Sequence, residues 1–310
     1  MKALIWNSEG FRDTAKHLRV QEEIREHKLD IVALLEMGRS NFAAPFLRGL
    51  AIGRNYSWYC LPTRGRSGGI LVGINNDTLC VKRVDAGDFC VKFHLRSNDG
   101  FEWNFVAVYG AAQDEHKYPF LAELARICDN NALPIMVGGD FNIIRNPQEK
   151  NNDNYNAHWP FVFSAIIESL NLKEIHLSGR QYTWASRREI PTFEKLDRVL
   201  ATVEWEHKFP LVSVRALSRT SSDHTPLLID SGEQAHLGNA SSFSFELSWL
   251  REDGFKELIE REWNAFTHGN SPIEIWQNRI RHLRRFLKGW ARNRSGKYKK
   301  EKERLLAVMN

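Results

Sequence analysis

Polar side chains recur just past short apolar runs in this chain. Leu-Ile-Trp (4–6) ends on Asn7, Ala-Leu-Leu (33–35) on Glu36, and Val-Gly-Gly (137–139) on Asp140, with Asn142 two residues later. Tyr109-Gly110 closes the run AVYG, Asp197 stands inside KLDRVL, and Ser222-Asp223-His224 precedes the apolar stretch TPLLID. Singly, each has an ordinary structural account. Asp and Asn favour turns and helix caps, a Glu past an apolar run reaches water, and a tyrosine there packs its ring and bonds its hydroxyl. Together they have another, because strand ends at one edge of a packed sheet pair converge in space. Asn7, Glu36, Asp140, Asn142, Asp197, Asp223 and His224 would then supply four carboxylates, two amides and one imidazole. That oxygen-rich set suits a hard divalent cation such as Mg2+. Cys60, Cys80, Cys90 and Cys128 show no CxxC or Cys/His spacing, the pattern that zinc uses.

The elements that must position these groups follow from periodicity. KALIWN (2–7) and DIVALLE (30–36) read as strands, and Thr14–His27, with Leu18 and Ile24 among charges, as a helix. YSWYCLP, GILVGI, LCVKRV, FCVKFHL and FEWNFVAVYG follow, separated by Gly, Asn and Asp turns. In the last, Phe101, Trp103, Phe105, Ala107 and Tyr109 alternate with Glu102 and Asn104, as in a half-buried strand. Lys117–Asn130 reads as a helix, PIMVGGDFN (134–142) as a strand, the polar NPQEKNNDNYN (146–156) as a loop and His158–Ser169 as a helix. YTWAS, KLDRVLA, VSVRALS and TPLLID add short strands. Alternation along PIMVGGDFN would put Asp140 and Asn142 on one face and Phe141 on the other. Gly138 and Gly139 would let a phosphate approach the chain closely. So many strands with few helices between them predict an α/β (α+β) fold, a four-layered sandwich of two packed mixed/antiparallel β-sheets flanked by helices.

The chain has 310 residues, 42% hydrophobic and 26% charged, ordinary globular values. Residues 1–230 carry every motif above and read as one domain; 231–242 reads as a linker, and 243–310 as a helical, basic extension. The overall charge of +5 hides an asymmetry: residues 279–304 hold twelve Lys/Arg against two Glu, which leaves the remainder at −5. Such a tail attracts nucleic acid in a salt-dependent way, although charge runs on helices are more often solvated faces. MKALIWNSEGF has no apolar run of signal-peptide length, and no segment matches a membrane span. Cys80 and Cys90 lie in strand-like stretches, where buried free thiols are expected. An intracellular location, nuclear or cytoplasmic, is the expectation.

The motifs also carry a resemblance. Trp6-Asn7-Ser8-Glu9-Gly10, Leu34-Leu35-Glu36, Ser67-Gly68-Gly69, Val108-Tyr109-Gly110, Gly138-Gly139-Asp140-Phe141-Asn142, Tyr182-Thr183-Trp184, Leu196-Asp197-Arg198 and Ser222-Asp223-His224 stand in the order found in the endonuclease/exonuclease/phosphatase superfamily. NIIRNPQEK (142–150), YTWASRREIPTFEKLDRVL (182–200) and EWEHKFP (204–210) resemble the endonuclease domain of plant LINE-type (non-LTR) retrotransposon polyproteins. The resemblance spans about residues 2–230, and FKELIEREW and WNAF are similar to the segment that follows this domain there. The reverse transcriptase of a full element is not in the sequence, so a truncated polyprotein is the expectation. Two positions depart from the pattern: Ser8-Glu9, where relatives carry a small or apolar residue and then a basic one, and Met37, where Thr is common. A carboxylate beside Asn7 is expected to weaken binding of a nucleic-acid backbone.

The resemblance implies Mg2+-dependent hydrolysis of DNA phosphodiesters, with Mn2+ as an alternative ion and a nick ending in 3′-hydroxyl and 5′-phosphate as product. It implies Glu36 as main metal ligand, with Asn7 ordering that shell and contacting phosphate, and Asp223 beside the metal. Asp140 would act as base or orient water, Asn142 would donate to a phosphate oxygen, and Asp197 would fix His224 as an imidazolium facing phosphate. Tyr109 would contact the phosphate or the leaving oxygen. Substrate contacts are expected from Arg64 and Arg66 in the loop TRGRSGG, from Thr192 and from Ser222. The same superfamily also holds abasic-site endonucleases and small-molecule phosphoesterases. A catalytically idle retroelement relic that still binds nucleic acid is the other alternative, although every expected catalytic position is filled.

Overall fold

The strands form where the apolar runs lie. The computed structural model describes residues 1–63, 68–129, 132–219 and 221–232, then 249–250, 252, 254–265 and part of 272–290. In chain order the elements are β1 (Lys2–Asn7), α1 (Thr14–His27), β2 (Ile31–Leu35), α2 (Ala44–Leu50), β3 (Tyr56–Leu61), β4 (Ile70–Asn75), β5 (Leu79–Ala86), β6 (Cys90–Ser97) and β7 (Glu102–Tyr109). Next come α3 (Asp114–Cys128), β8 (Ile135–Asp140), α4 (His158–Ser169), β9 (Lys173–Glu174), β10 (Leu177–Ser178), β11 (Trp184–Ala185) and β12 (Phe193–Glu194). β13 (Asp197–Ala201), α5 (Val203–Lys208), β14 (Ser213–Ala216) and β15 (Leu227–Asp230) complete the first unit.

Two mixed sheets result. One has seven strands in the order β10-β14-β15-β1-β2-β4-β3, the other six in the order β5-β6-β7-β8-β13-β9. The pairs β1–β2 and β7–β8 are parallel, whereas β1–β15 and β8–β13 are antiparallel. The core between the sheets contains Ile5, Ala33, Leu35 and Val72 from one and Phe93, Phe105, Ala107 and Val199 from the other. On the outer face of the six-stranded sheet, Val106, Val108 and Val137 pack with Phe120 and Leu124 of α3 and Phe163 of α4. On the outer face of the seven-stranded sheet, Leu4, Trp6 and Val32 pack with Val20 and Ile24 of α1. Successive residues of the central strands thus enter different cores, which is why those strands read as unbroken apolar runs. The predicted four-layered α/β sandwich is the observed fold.

Some details differ from the sequence reading. The helices α2 and α5 escape it because seven and six residues are too few to show a period. Helix α3 starts at Asp114 rather than Lys117, with Asp114 and Glu115 in its first turn, where acidic groups favour the helix dipole. Leu18 is exposed; Val20 and Ile24 form the apolar stripe of α1. Cys80 is exposed on the edge strand β5, and among the described residues all four cysteines are free. Gly138 and Gly139 serve the packing of the sheets rather than a phosphate. A Cβ on Gly139 would lie 1.9 Å from the Val108 carbonyl oxygen, and one on Gly138 2.2 Å from Ile5 Cδ1.

A buried charge cluster anchors the start of β13. The Arg198 guanidinium, fully buried, donates to Glu149 at 3.0 and 3.2 Å, to Glu174 at 3.1 Å, and to the carbonyls of Ile143 and Lys195 at 3.1 and 2.7 Å. Arg145 and Lys195 add bonds to Glu174. Burial alone would raise the Glu174 carboxyl, but Arg198 and Lys195 outweigh it and hold the group at about 2.

A second compact unit spans Ala235–Asn310. Its helix α6 (Phe255–Asn264) belongs to a small core of Trp249, Phe255 and Leu287, with the Trp290 ring tilted against Phe255 at 5.1 Å. The expected linker, from residue 233 on, and the end of the basic tail lie outside the described residues. No helix among the described residues is long and apolar enough to cross a membrane.

Two outcomes are expected. Gly139→Ala forces a backbone overlap, so it should lower stability by about 1–3 kcal/mol or more, read as a fall in melting temperature by circular dichroism. Glu174 has a carboxyl depressed from 4.5, so its stabilisation is complete above that value and is lost as pH falls towards about 2. The urea midpoint should therefore drop between about pH 5 and pH 3, and Glu174→Gln should flatten that slope; an equally steep fall in the variant would place the acid sensitivity elsewhere.

Candidate active site

Parallel strands deliver their ends to one edge. Asn7 closes β1 opposite Leu35, the last residue of β2, and Glu36 follows at φ 53°. The left-handed turn at Glu36 is held by Gly10 N–H donating to its carbonyl at 2.7 Å and by Met37 N–H donating to Gly69 O at 3.3 Å. The other sheet brings Tyr109, Asp140 and Asp197 side by side, since Tyr109 pairs with Asp140 across β7–β8 and Asp140 with Asp197 across β8–β13. His224 arrives from the segment before β15, bridged to Trp184.

These residues meet at one edge of the sandwich. Asn7 Nδ2 lies 2.9 Å from Asp140 Oδ2, 3.1 Å from Glu36 Oε2 and 3.3 Å from His224 Nε2. His224 Nδ1 bonds Asp197 Oδ2 at 2.8 Å, and its Nε2 stands 3.6 Å from Asp140 Oδ2. Asn7, Asp140, Asp197 and His224 are all buried. Burial opposes a charge on His224, but the Asp197 and Asp140 carboxylates outweigh it and hold the imidazole well above its usual range. Burial pushes the Asp140 carboxyl up, against the pull of His224. The Tyr109 hydroxyl is raised by burial and then by Glu36 and Asp140, so the phenol keeps its proton and can donate. An open cleft of about 670 Å³ exposes this edge, lined by Glu9, Glu36, Tyr109, Asn142, Asp223 and His224 among others.

Asn142 reaches the cleft by a route other than strand alternation. β8 ends at Asp140, and Asn142 adopts φ 51°. Its N–H caps Asp140 Oδ1 at 2.9 Å while its Nδ2 donates to Gly110 O at 2.9 Å. Ser222 is a brace: its hydroxyl donates to Asn7 O at 2.8 Å and accepts from His224 N–H at 3.1 Å. Thr192 stands in the neck of the β11–β12 hairpin, bonded to Ser186 at 2.8 Å and Asn152 at 3.3 Å, and does not line the cleft. Arg64 and Arg66 lie outside the described residues.

Some contributors carried no role in the sequence reading. The Thr183 hydroxyl, fully buried, accepts from Leu196 and Asp197 N–H at 3.0 and 2.9 Å, and Thr183 O accepts from Thr225 N–H at 2.7 Å. Trp184 Nε1 donates to Asp223 Oδ2 at 3.0 Å. The motif Tyr-Thr-Trp is therefore the bracket that joins Asp197 to the Asp223-His224 pair; its position between the other motifs was the signal. Lys16, buried on α1, donates to the carbonyls of Ser8, Glu9 and Gly10 at 2.5, 3.0 and 3.2 Å. A lysine inside a charged helix gives no such hint.

The donor set fits a hard cation on one side of the cleft. Ligand atoms of Asp140, Asp197 and His224 all lie within 4.8 Å of one another. A protonated imidazole already bonded to Asp197 donates and does not ligate, so His224 is not itself a metal ligand. Asp223 differs: its Oδ1 is buried and has no hydrogen-bond partner among the described residues. With Glu36 on the same wall, Asp223 offers the carboxylate oxygens that Mg2+ takes.

Comparison with known proteins agrees with this architecture. The family model for the Endonuclease/Exonuclease/phosphatase family matches residues 4–224. No curated protein sequence matches the chain significantly. Among solved structures, the 3′ phosphatase NExo from Neisseria, bound to a product DNA hairpin, is 17% identical with a TM-score of 0.59, covering 74% of this chain and 98% of that one. The endonuclease domain of TRAS1, a telomere-specific non-LTR retrotransposon, is 15% identical with a TM-score of 0.57, covering 75% and 99%. An AP endonuclease from Archaeoglobus fulgidus is 16% identical with a TM-score of 0.59, covering 74% and 98%. At these identities the likeness is one of fold. Members of the matched family hydrolyse phosphoester bonds, typically with a divalent metal. The matched span holds the six-stranded sheet, the seven-stranded sheet apart from β15 and the start of β1, and the cleft residues from Asn7 to His224. The chain belongs to the Endonuclease/Exonuclease/phosphatase family.

Proposed function

We propose that the chain is a Mg2+-dependent DNA endonuclease of the LINE retrotransposon type, with residues 1–230 as its catalytic unit and 243–310 as a helical extension. The observation that carries hydrolysis is His224, held as an imidazolium by Asp197 and facing Asp140 and Asn7 beside the carboxylates of the cleft. The retroelement assignment rests on the sequence motifs over residues 142–150 and 182–200. Their spacing argues against a small-molecule phosphatase.

Hydrolysis requires an aligned water, neutralised phosphate oxygens and a stabilised leaving oxygen. Asp140 takes the proton of the attacking water: its carboxylate is fixed at both oxygens, by Asn7 and by Asn142 N–H, and burial has raised its basicity. His224 directs its Nε2–H at a non-bridging phosphate oxygen. Asp197 keeps the ring oriented and compensates its charge. Tyr109 donates its hydroxyl proton to the phosphate or the leaving oxygen, and Asn142 lends an amide donor. Glu36 and Asp223 would hold the cation, with Asn7 ordering Glu36; the Asn7 amide oxygen itself accepts from Glu9 N–H at 2.9 Å. When bound, the ion supplies Lewis-acid charge at the phosphate.

With Mg2+ the chain should nick supercoiled plasmid, and EDTA should stop it. Asp140→Asn and His224→Ala should each lower the rate roughly 10²- to 10⁴-fold with unchanged circular dichroism; unchanged rates would show the nuclease to be a contaminant. Strong preference for an abasic duplex, or release of phosphate from small esters without nicking, would favour the other branches. Asp223→Asn should raise the Mg2+ concentration for half-maximal nicking by about tenfold, read from a Mg2+ titration at fixed DNA.

A further inference from the structure

Glu9 stands on the wall of the cleft without a task in the reaction above. Its backbone is fixed at φ 48°, with its N–H on Asn7 Oδ1 at 2.9 Å and its carbonyl on Lys16 Nζ at 3.0 Å. The carboxylate cannot drift far from Asn7. Its ion-pair partner among the described residues is Arg187, in the loop between β11 and β12, so two segments far apart in sequence are joined at the rim of the cleft. The lysines lining the cleft are already engaged, Lys117 with Asp114 at 2.8 Å and Lys150 with Glu194 at 2.7 Å.

Arg187 is 69% exposed and Glu9 30%, so the guanidinium end of the pair is open to water. Exposed pairs of this kind contribute roughly 0–1 kcal/mol and exchange readily. A guanidinium also binds phosphate through two parallel hydrogen bonds, as it binds carboxylate. The cleft wall is acidic at Glu9, Glu36, Asp140 and Asp223, so an incoming phosphodiester meets net repulsion until a cation is released to it.

We propose that Glu9 is an internal stand-in for phosphate: it holds Arg187 at the rim, and a DNA backbone phosphate flanking the scissile bond displaces it and takes the guanidinium. The inference rests on the endonuclease reading above and adds a specificity-determining pair to it. Glu9 then sets how tightly the backbone binds, and Arg187 carries one of the salt-sensitive contacts.

The test is a double-mutant cycle on the full chain, reading anisotropy of a fluorescein-labelled DNA duplex in EDTA, where any metal-ligand role of Glu9 is silent. Glu9→Gln should tighten binding about fivefold, more than Glu22→Gln, a control of equal charge change on the exposed side of α1. Arg187→Ala should weaken binding and reduce the slope of log K against log salt by about one. The double variant should match Arg187→Ala, because without the guanidinium Glu9 has nothing to withhold. A Glu9→Gln gain that persists without Arg187, or one no larger than the control, overturns the exchange. A tenfold rise in the Mg2+ requirement of nicking by Glu9→Gln also overturns it, since Glu9 would then be a metal ligand. If the wild-type chain binds no duplex, the endonuclease reading falls and the exchange with it; if it binds and the cycle is additive, the exchange alone falls.

Discussion

Asn7 and Asp140 meet across the seam between the two sheets, 2.9 Å apart and both buried. A carboxylate removed from water must be compensated where it stands. Asp140 receives that compensation from Asn7, from Asn142 N–H and from the charge on His224. These partners come from the end of β1, the turn after β8 and the segment before β15. Two sheets that ended at different heights would leave Asp140 bare, so the working edge and the register of the sandwich are one constraint.

That register is secured behind the cleft rather than in it. Gly138 and Gly139 bring Ile5 and Val108 so close to β8 that no side chain fits. The Arg198 cluster ties β13 to the chain just beyond β8, and Thr183 fixes the backbone at Leu196 and Asp197. A buried, well-bonded shell of this kind holds the groups in front of it to the tolerance that proton transfer needs. The rim is built oppositely. Arg187 is exposed and Glu9, half-buried, is held to Asn7 through its backbone, so the guanidinium can yield while the centre stays rigid.

Much of the fold was legible because the central strands are covered on both faces. Residues such as Leu4, Ile5 and Trp6 enter different cores, and the resulting unbroken apolar runs stand out from the polar turns between them. Short helices such as α2 and α5 offered no period to detect. The site was legible for a related reason. A run with no polar residue that stops at Asn7, Glu36 or Asp140 makes the stop conspicuous, whereas Thr183 and Lys16 sit among ordinary polar neighbours.

The amino-acid order alone determined the strands, the two-sheet class and which side chains have chemistry to offer. Only the tertiary structure decided what each does there. It turned Ser222 into a brace, left Thr192 in a hairpin neck, brought Asn142 round through a left-handed turn, and made the two glycines a packing device. Among the described residues it also left one oxygen of Asp223 without a partner and gave Glu9 an arginine from a distant loop. The physical reason is that a residue type and its spacing along the chain specify local conformation, while burial, hydrogen-bond partners and charge compensation are set by neighbours from other strands.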